Sequence, residues 1–305
     1  MTLAFITTVR HPHNASDYAR VESLLRDTLA SITRQTCDDY VVIVVGNRRP
    51  EYSLPPRTHF VEVDYAAPSS TRGARTGLAP SIWDKGTKTG AGLIAARDLG
   101  ADDVMLVDAD DFVHRGIAEF VRDHRGHPGW FVKRGLMYSQ RRNSYALRRN
   151  LFRICGTSFI VPLSAFDVPA DLTVAAPQQV IADVFDDYLE DVLGNHRYSL
   201  EWWEARGRTL DPLPFTAAVY HVDTGENHSG SELIGPAMPY RTRLAEEFGI
   251  RPSKGSGATM WSALGPAALK PDLRPRRPFF MKPPADLMSS YRPPPQECPT
   301  SALDR

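Results

Sequence analysis

The chain has 305 residues, 42% apolar and 24% charged, and its 36 Lys and Arg balance its 36 Asp and Glu to a net charge of 0. Such a chain can bury a real core, which excludes disorder of the whole, and it lacks the basic excess of a general nucleic-acid binder. Cys37, Cys155 and Cys298 stand far apart with no CxxC, which excludes a disulfide scaffold and a zinc ribbon and fits a reducing compartment.

In chain order, residues 3–8 are apolar and β-branched and read as a strand. A turn at 11–14 leads to a periodic stretch at 18–34, where Val21, Leu24, Leu25, Leu29 and Ile32 share one helical face and Asn14 or Ser16 can cap it. The wholly apolar run 41–45 is what a strand covered on both faces of a parallel sheet looks like, and it stops at Gly46-Asn47. A third strand is expected at 59–63, then an irregular stretch through Gly77, a second helix at 88–99 and a strand at 104–107. This alternation predicts an α/β fold, a doubly wound and mostly parallel sheet with helices on both faces. Further on, 117–123 reads as a helix, 129–134, 145–149 and 158–162 as strands of antiparallel character, 180–193 as a helix and 215–222 as a late strand. Ten of the 25 prolines fall within 266–305, which reads as an extended tail.

Ligands of doubly wound sheets bind beyond the carboxyl ends of the strands. Asp108-Ala-Asp-Asp111 follows the fourth strand directly, which brings three carboxylates to the mouth of the sheet. Two carboxylates one residue apart can share a hard divalent cation and leave its other positions open to phosphate oxygens. Asp also ends strands and caps helices, so a purely local role is the competing reading. An EF-hand is the worse alternative, because the loop lacks the alternating oxygen ligands, the central Gly and the closing Glu.

Phe5-Ile-Thr-Thr-Val9, the long helix, the strand ending at Gly46 and then Leu106-Val-Asp-Ala-Asp-Asp-Phe112 together resemble a nucleotide-sugar-dependent glycosyltransferase of the GT-A fold, most similar to the family 2 type. The resemblance covers about residues 3–230. It implies a GT-A-like, Rossmann-like sheet with a smaller antiparallel region on the acceptor side. It divides the chain into a donor-binding half at 1–112, an acceptor-binding and catalytic half at 113–265, and the tail at 266–305. It also implies that Mn²⁺ or Mg²⁺ bridges the donor diphosphate, with Asp108 on ribose and metal, Asp110 on metal and Asp111 as a further ligand.

By the same resemblance, Thr7, Thr8 and Arg10 at the end of the first strand, and Asn47 after the second, hold the nucleotide. Asn47 departs from the acidic residue usual there, and Gly-Asn is also an ordinary turn. Lys85 and Lys88, within Trp83-Asp-Lys-Gly-Thr-Lys-Thr-Gly90, suit a diphosphate near a helix start, although no Walker motif is present and a solvated loop is the alternative. The base expected to deprotonate the acceptor is Asp191, supported by Glu190. Asp183, Asp186, Asp187, Glu190 and Asp191 can equally form one solvated acidic face. A histidine completing the metal site is expected at His228 or His221. Trp202 and Trp203 offer faces on which an acceptor sugar can stack, or serve as core. The basic run 140–149, with Arg153, faces an anionic acceptor, a membrane surface or water.

The resemblance implies a metal-dependent transfer of a sugar from a nucleoside-diphosphate donor to a hydroxyl of a glycan, lipid or protein, with inversion at the anomeric carbon. Two rivals are a sugar-phosphate nucleotidyltransferase, whose Gly-rich loop is missing at 7–11, and a relative that binds nucleotide or glycan without catalysis. No run approaches the ~20 apolar residues of a membrane helix. The opening residues lack the basic start of a secretory signal. Cytoplasmic location, no nucleic-acid partner and at most peripheral membrane association are expected. Gln-x-x-Arg-Trp is absent, which favours single-sugar addition.

Overall fold

A computed structural model describes residues 2–73, 76–269 and 291 of the chain. The first half runs β1 (Leu3–Thr8), α1 (Tyr18–Ile32), β2 (Tyr40–Gly46), β3 (Thr58–Glu62), α2 (Leu78–Asp98) and β4 (Asp103–Asp108). It continues through β5 (Phe112–Val113), α3 (Ile117–Asp123), β6 (Trp130–Phe131), β7 (Arg134–Ser139), β8 (Ser144–Arg149), β9 (Phe159–Pro162) and α4 (Gln178–Tyr188). The last elements are α5 (Ser199–Ala205), β10 (Asp211–Pro212), β11 (Ala218–Val222), β12 (Met238–Pro239), α6 (Arg243–Phe248) and α7 (Ser256–Leu264).

The central sheet has the order β10-β6-β9-β4-β1-β2-β3, with β4, β1, β2 and β3 mutually parallel and β9 antiparallel to both neighbours. Strand alternation explains its two covered faces. Leu3, Phe5, Val42 and Val44 pack with Leu25, Leu29 and Ile32 of α1. Ala4, Ile6, Ile43 and Val45 face the other way, onto Leu93 and Ile94 of α2 and Ile181 and Phe185 of α4. A second sheet, β12-β8-β7-β11-β5, is antiparallel except for the pair β11 and β7. The fold is thus α/β with a mostly parallel central sheet flanked by helices, as the alternation predicts.

Three local expectations are corrected. α1 is capped by Asp17, whose carboxylate accepts from Arg20 N, while Asn14 is buried and its amide donates to Ser69 O and Thr71 O. α2 begins at Leu78, ten residues before the expected start at Lys88. Its glycines resemble loop residues in sequence, but they are close-approach points: a Cβ on Gly92 would lie 2.4 Å from Ile6 Cγ2, and one on Gly90 2.8 Å from Ile181 and Phe185. The expected helix at 180–193 breaks at a kink at Asp186 and ends as a π-helical turn, Leu189–Leu193.

The strand expected at 129–134 is split between β6 and the start of β7. Where the tail was expected, Pro266–Leu269 makes one 3-10 turn. The rest of that tail, Tyr291 aside, and Cys298 lie outside the described residues. Cys37 and Cys155 are free thiols. No helix among the described residues is long and apolar enough to cross a membrane.

Candidate functional site

β1 pairs with β2 on one side and with β4 on the other, so the winding reverses beside β1 and a crevice opens beyond the carboxyl ends of β1 and β4. Register places Thr8 directly opposite Asp108 at that end. The crevice has a volume of about 340 Å³. Its walls are the residues leaving β1, the first turns of α2, the acidic tract after β4, the segment 194–197 and the loop 226–229.

The three carboxylates of the tract are used differently. Asp111 is fully buried and points inward, accepting from Thr157 Oγ1 at 2.6 Å, Cys155 Sγ at 3.1 Å and His221 N at 3.0 Å. Burial, reinforced by Asp110 and Asp108, pushes its pKa well above the usual carboxylate range. Asp108 lines the crevice and accepts from Lys85 Nζ at 2.5 Å and Gly156 N at 3.1 Å. Burial alone would raise its pKa, but Lys85, helped by His196 and the Gly156 amide, brings it below normal. Asp110 also lines the crevice, with Asn227 donating to it at 3.2 Å, and burial together with the neighbouring Asp108 pushes it up to about 7. The tract therefore presents two carboxylates to the crevice and uses the third to tie β4 to β11.

Cationic and polar groups face this pair. Lys85 keeps its charge, because Asp108 outweighs the cost of burial. Arg10 leaves the end of β1 and donates to Glu226 Oε2 at 3.2 Å and to Glu226 O at 2.7 Å. Glu226 also accepts from the backbone N–H groups of Ser16 and Asp17 at the entry to α1. His196 lines the crevice as a neutral ring, its pKa driven down to about 4 by burial and by Lys85.

Of the residues singled out in the sequence, Thr8, Arg10, Lys85, Asp108, Asp110 and His228 line the crevice together. The others are elsewhere among the described residues. Thr7 is wholly buried. Asn47 donates to Tyr65 O. Lys88, on α2, has no exposed surface and donates to Val9 O at 3.0 Å and to Asp84 at 2.9 Å, so protein groups enclose its ammonium. His221 lies on β11, its ring against Phe112 and Tyr138 and its Nδ1 on Asp110 O. Trp202 and Trp203 are buried and packed on Tyr188 and Phe166, as in the core alternative that the sequence leaves open for them. Glu190 and Asp191 stand on the π-helical turn and are not lining residues; the segment they lead into, Gly194 to Arg197, is.

Sequence reasoning missed Asn14, His196, Glu226 and Asn227 as crevice residues. His196 follows Asp191 by five positions, and Glu226 and Asn227 precede His228 directly, so each lay beside a quoted motif. What was not visible was the packing that turns each one inward.

No group of three or more His, Cys, Asp or Glu side chains is arranged to hold a metal among the described residues. Asp108 and Asp110 at the crevice nevertheless fit the Mg²⁺ pattern in which one or two carboxylates share the ion with phosphate oxygens and water, outside any all-protein cage.

No protein-family model and no curated protein matches the chain. Among solved structures it is similar to S. aureus TarS 1-349 in complex with UDP, at 11% identity and a TM-score of 0.42, covering 73% of this chain and 61% of that one. It is similar to the same protein in complex with UDP-GlcNAc at 12% identity and a TM-score of 0.41, covering 77% and 62%. The chain thus spans about three-fifths of the length of these two structures.

Proposed function

We propose that the protein is a glycosyltransferase that takes a sugar from a nucleoside-diphosphate donor bound in the crevice and passes it to an acceptor hydroxyl. The observation that carries this reading is the convergence of Asp108 and Asp110 with Lys85 and Arg10 at the carboxyl ends of β1 and β4. Cations beside a carboxylate pair suit a diphosphate that arrives with its own counter-ion. The crevice beyond the carboxyl ends of the strands, where the winding reverses, is where ligands bind in doubly wound sheets.

Asp110, with Asp108, would hold Mn²⁺ or Mg²⁺ shared with the diphosphate, and that ion would offset the charge developing on the leaving group. Lys85 and Arg10, held in position by their hydrogen bonds to Asp108 and Glu226, orient the phosphates and stabilise the same charge. Asp191 takes the proton from the acceptor hydroxyl. The support for it is position: it stands on the turn immediately before the lining segment 194–197. Transfer to a glycan, lipid or protein, inversion at the anomeric carbon and the hexosyl nature of the donor sugar belong to this reading.

The test is release of nucleoside diphosphate from UDP-, GDP- and dTDP-sugars in the presence of Mn²⁺ or Mg²⁺. One donor is expected to be hydrolysed in a cation-dependent way by the wild type and not by Asp110→Ala. A panel with no turnover and no thermal stabilisation by any nucleotide would overturn the reading.

A further inference from the structure

The acidic tract after β4 turns tightly, with Asp111 N donating to Asp108 O at 3.1 Å, and the residues that brace this turn come from a distant part of the chain, Gly156-Thr157 on the approach to β9. β9 runs antiparallel to β4, and the register that pairs Met105 with Ile160, continued toward the crevice, brings Thr157 opposite Asp108. Thr157 has no exposed surface and uses its hydroxyl twice: Oγ1 accepts from Asp108 N at 3.0 Å and donates to Asp111 Oδ2 at 2.6 Å. A hydroxyl can donate and accept at one atom, so a single side chain clamps both ends of the turn. Neither Gly156 nor Thr157 lines the crevice, so any effect on a bound donor passes through the residues they hold.

Gly156 acts on the carboxylate of Asp108 directly. Its N–H donates to Asp108 Oδ2 at 3.1 Å. A Cβ at this position would lie 2.6 Å from Asp108 Oδ2, 2.8 Å from Oδ1 and 2.9 Å from Lys85 Nζ, so a side chain here would push the carboxylate or the ammonium aside. Asp110 depends on the same clamp. Its carboxylate accepts from Asn227 Nδ2 at 3.2 Å, but the direction in which its side chain leaves the backbone is set by the turn that Thr157 closes at both ends. Direction matters, because two carboxylates share one cation only when their oxygens converge on it, and the groups that orient such ligands govern affinity through them.

We infer that Gly156 and Thr157 are positioning residues of the donor site, fixing the direction in which Asp108 and Asp110 present their carboxylates; this rests on the donor-site reading proposed above. The test compares Thr157→Val, Thr157→Ser and Gly156→Ala with the wild type. Val keeps the shape of Thr and loses both hydrogen bonds, whereas Ser keeps both. Each full-length protein is titrated calorimetrically with UDP, GDP and dTDP in the presence of Mn²⁺, beside a thermal melt that verifies its fold. For the nucleotide that the wild type binds, Thr157→Val and Gly156→Ala are expected to weaken affinity about tenfold or more, and Thr157→Ser to stay within about threefold. A hydroxyl with a purely structural role would lower the melting temperature of Thr157→Val and leave the affinity of the folded protein unchanged. That result, or a Ser variant as weak as the Val variant, would overturn the inference and leave the donor site standing. If Thr157→Val does not fold, Gly156→Ala carries the test, and wild-type affinity in that variant would overturn the inference equally. A wild type that binds none of the three nucleotides would overturn the donor-site reading and this inference with it.

Discussion

Glu226 holds Arg10 at the mouth of the crevice: its carboxylate and its carbonyl each accept from the guanidinium, while the same carboxylate accepts from Ser16 N and Asp17 N. One side chain thus ties the loop after β11 to the entry of α1 and fixes the direction of a cation beside the acidic pair. Glu226→Ala leaves those donors without their acceptor in a partly buried place, so unfolding free energy is expected to drop by about 1–3 kcal/mol. Glu226→Gln keeps one of the two acceptor oxygens and should be milder. Urea denaturation reads the stability, and calorimetric titration with nucleoside diphosphates should show weaker binding in both variants. An Ala variant that unfolds and binds like the wild type would remove Glu226 from this role.

The two lysines of α2 are expected to fail in opposite ways. Lys85 faces the crevice, so Lys85→Met should weaken nucleotide binding and slow transfer while leaving the fold intact. Lys88 is wholly buried against Asp84 and Val9 O. Lys88→Met strands the Asp84 carboxylate, a nearly buried part of the crevice wall, and removing one partner of a buried pair typically costs about 3–5 kcal/mol. Thermal melts and nucleotide affinities measured side by side separate the two roles. Equal effects on both readouts would show that the helix does not divide its lysines this way.

This division explains what the sequence could and could not reveal. Strand alternation over 3–8, 41–45 and 104–107 is set by burial on both sheet faces, and so the sheet and its carboxyl-end site were legible. α2 was half hidden because Gly86, Gly90 and Gly92 lower helix propensity, while the close packing on Leu189, Phe185 and Ile6 that requires them is a tertiary fact. Once the helix starts at Leu78, Lys85 and Lys88 stand three residues apart on one face, and packing separates them: Lys85 Nζ reaches Asp108 in the crevice, while Lys88 Nζ is enclosed by Asp84 and Val9 O, a distinction no loop reading could make. Asp111 looked like a third ligand because it adjoins Asp110; only the β4 to β11 packing turns it toward Thr157 and His221 N. The adjacent tryptophans were ambiguous for the same reason, since an indole face looks alike in sequence whether it meets a sugar or Tyr188.

Asp191 and His196 make separable contributions under the proposed mechanism. Asp191→Asn should abolish transfer to an acceptor while nucleotide affinity stays within about twofold, since a base acts on the acceptor side. His196 lines the crevice within electrostatic reach of Lys85 and Asp108, so under the same mechanism His196→Ala should raise the donor KM before it affects turnover. Steady-state kinetics with the donor identified by the hydrolysis panel reads both. Full transfer by Asp191→Asn, with transfer lost in His196→Ala, would move the base to the histidine.

Asp103 provides a pH signature of the fold that is independent of the crevice. It begins β4, is 4% exposed, and burial together with Asp102 raises its pKa to about 6 from 3.8. A carboxylic acid with a raised folded-state pKa binds its proton more tightly when folded. Its contribution therefore favours folding fully below the unfolded value and is lost as pH climbs through the folded one. Wild-type stability should accordingly fall, from this group, as pH rises from about 4 to about 7. Asp103→Asn carries no titrating proton there and should lack that slope. The two proteins should melt together in mild acid, and the variant should be the more stable near neutrality by an amount on the order of 1–3 kcal/mol. Denaturant titrations of both proteins across that pH range give the difference directly. A constant gap would mean that Asp103 ionises in the folded chain as freely as in the unfolded one.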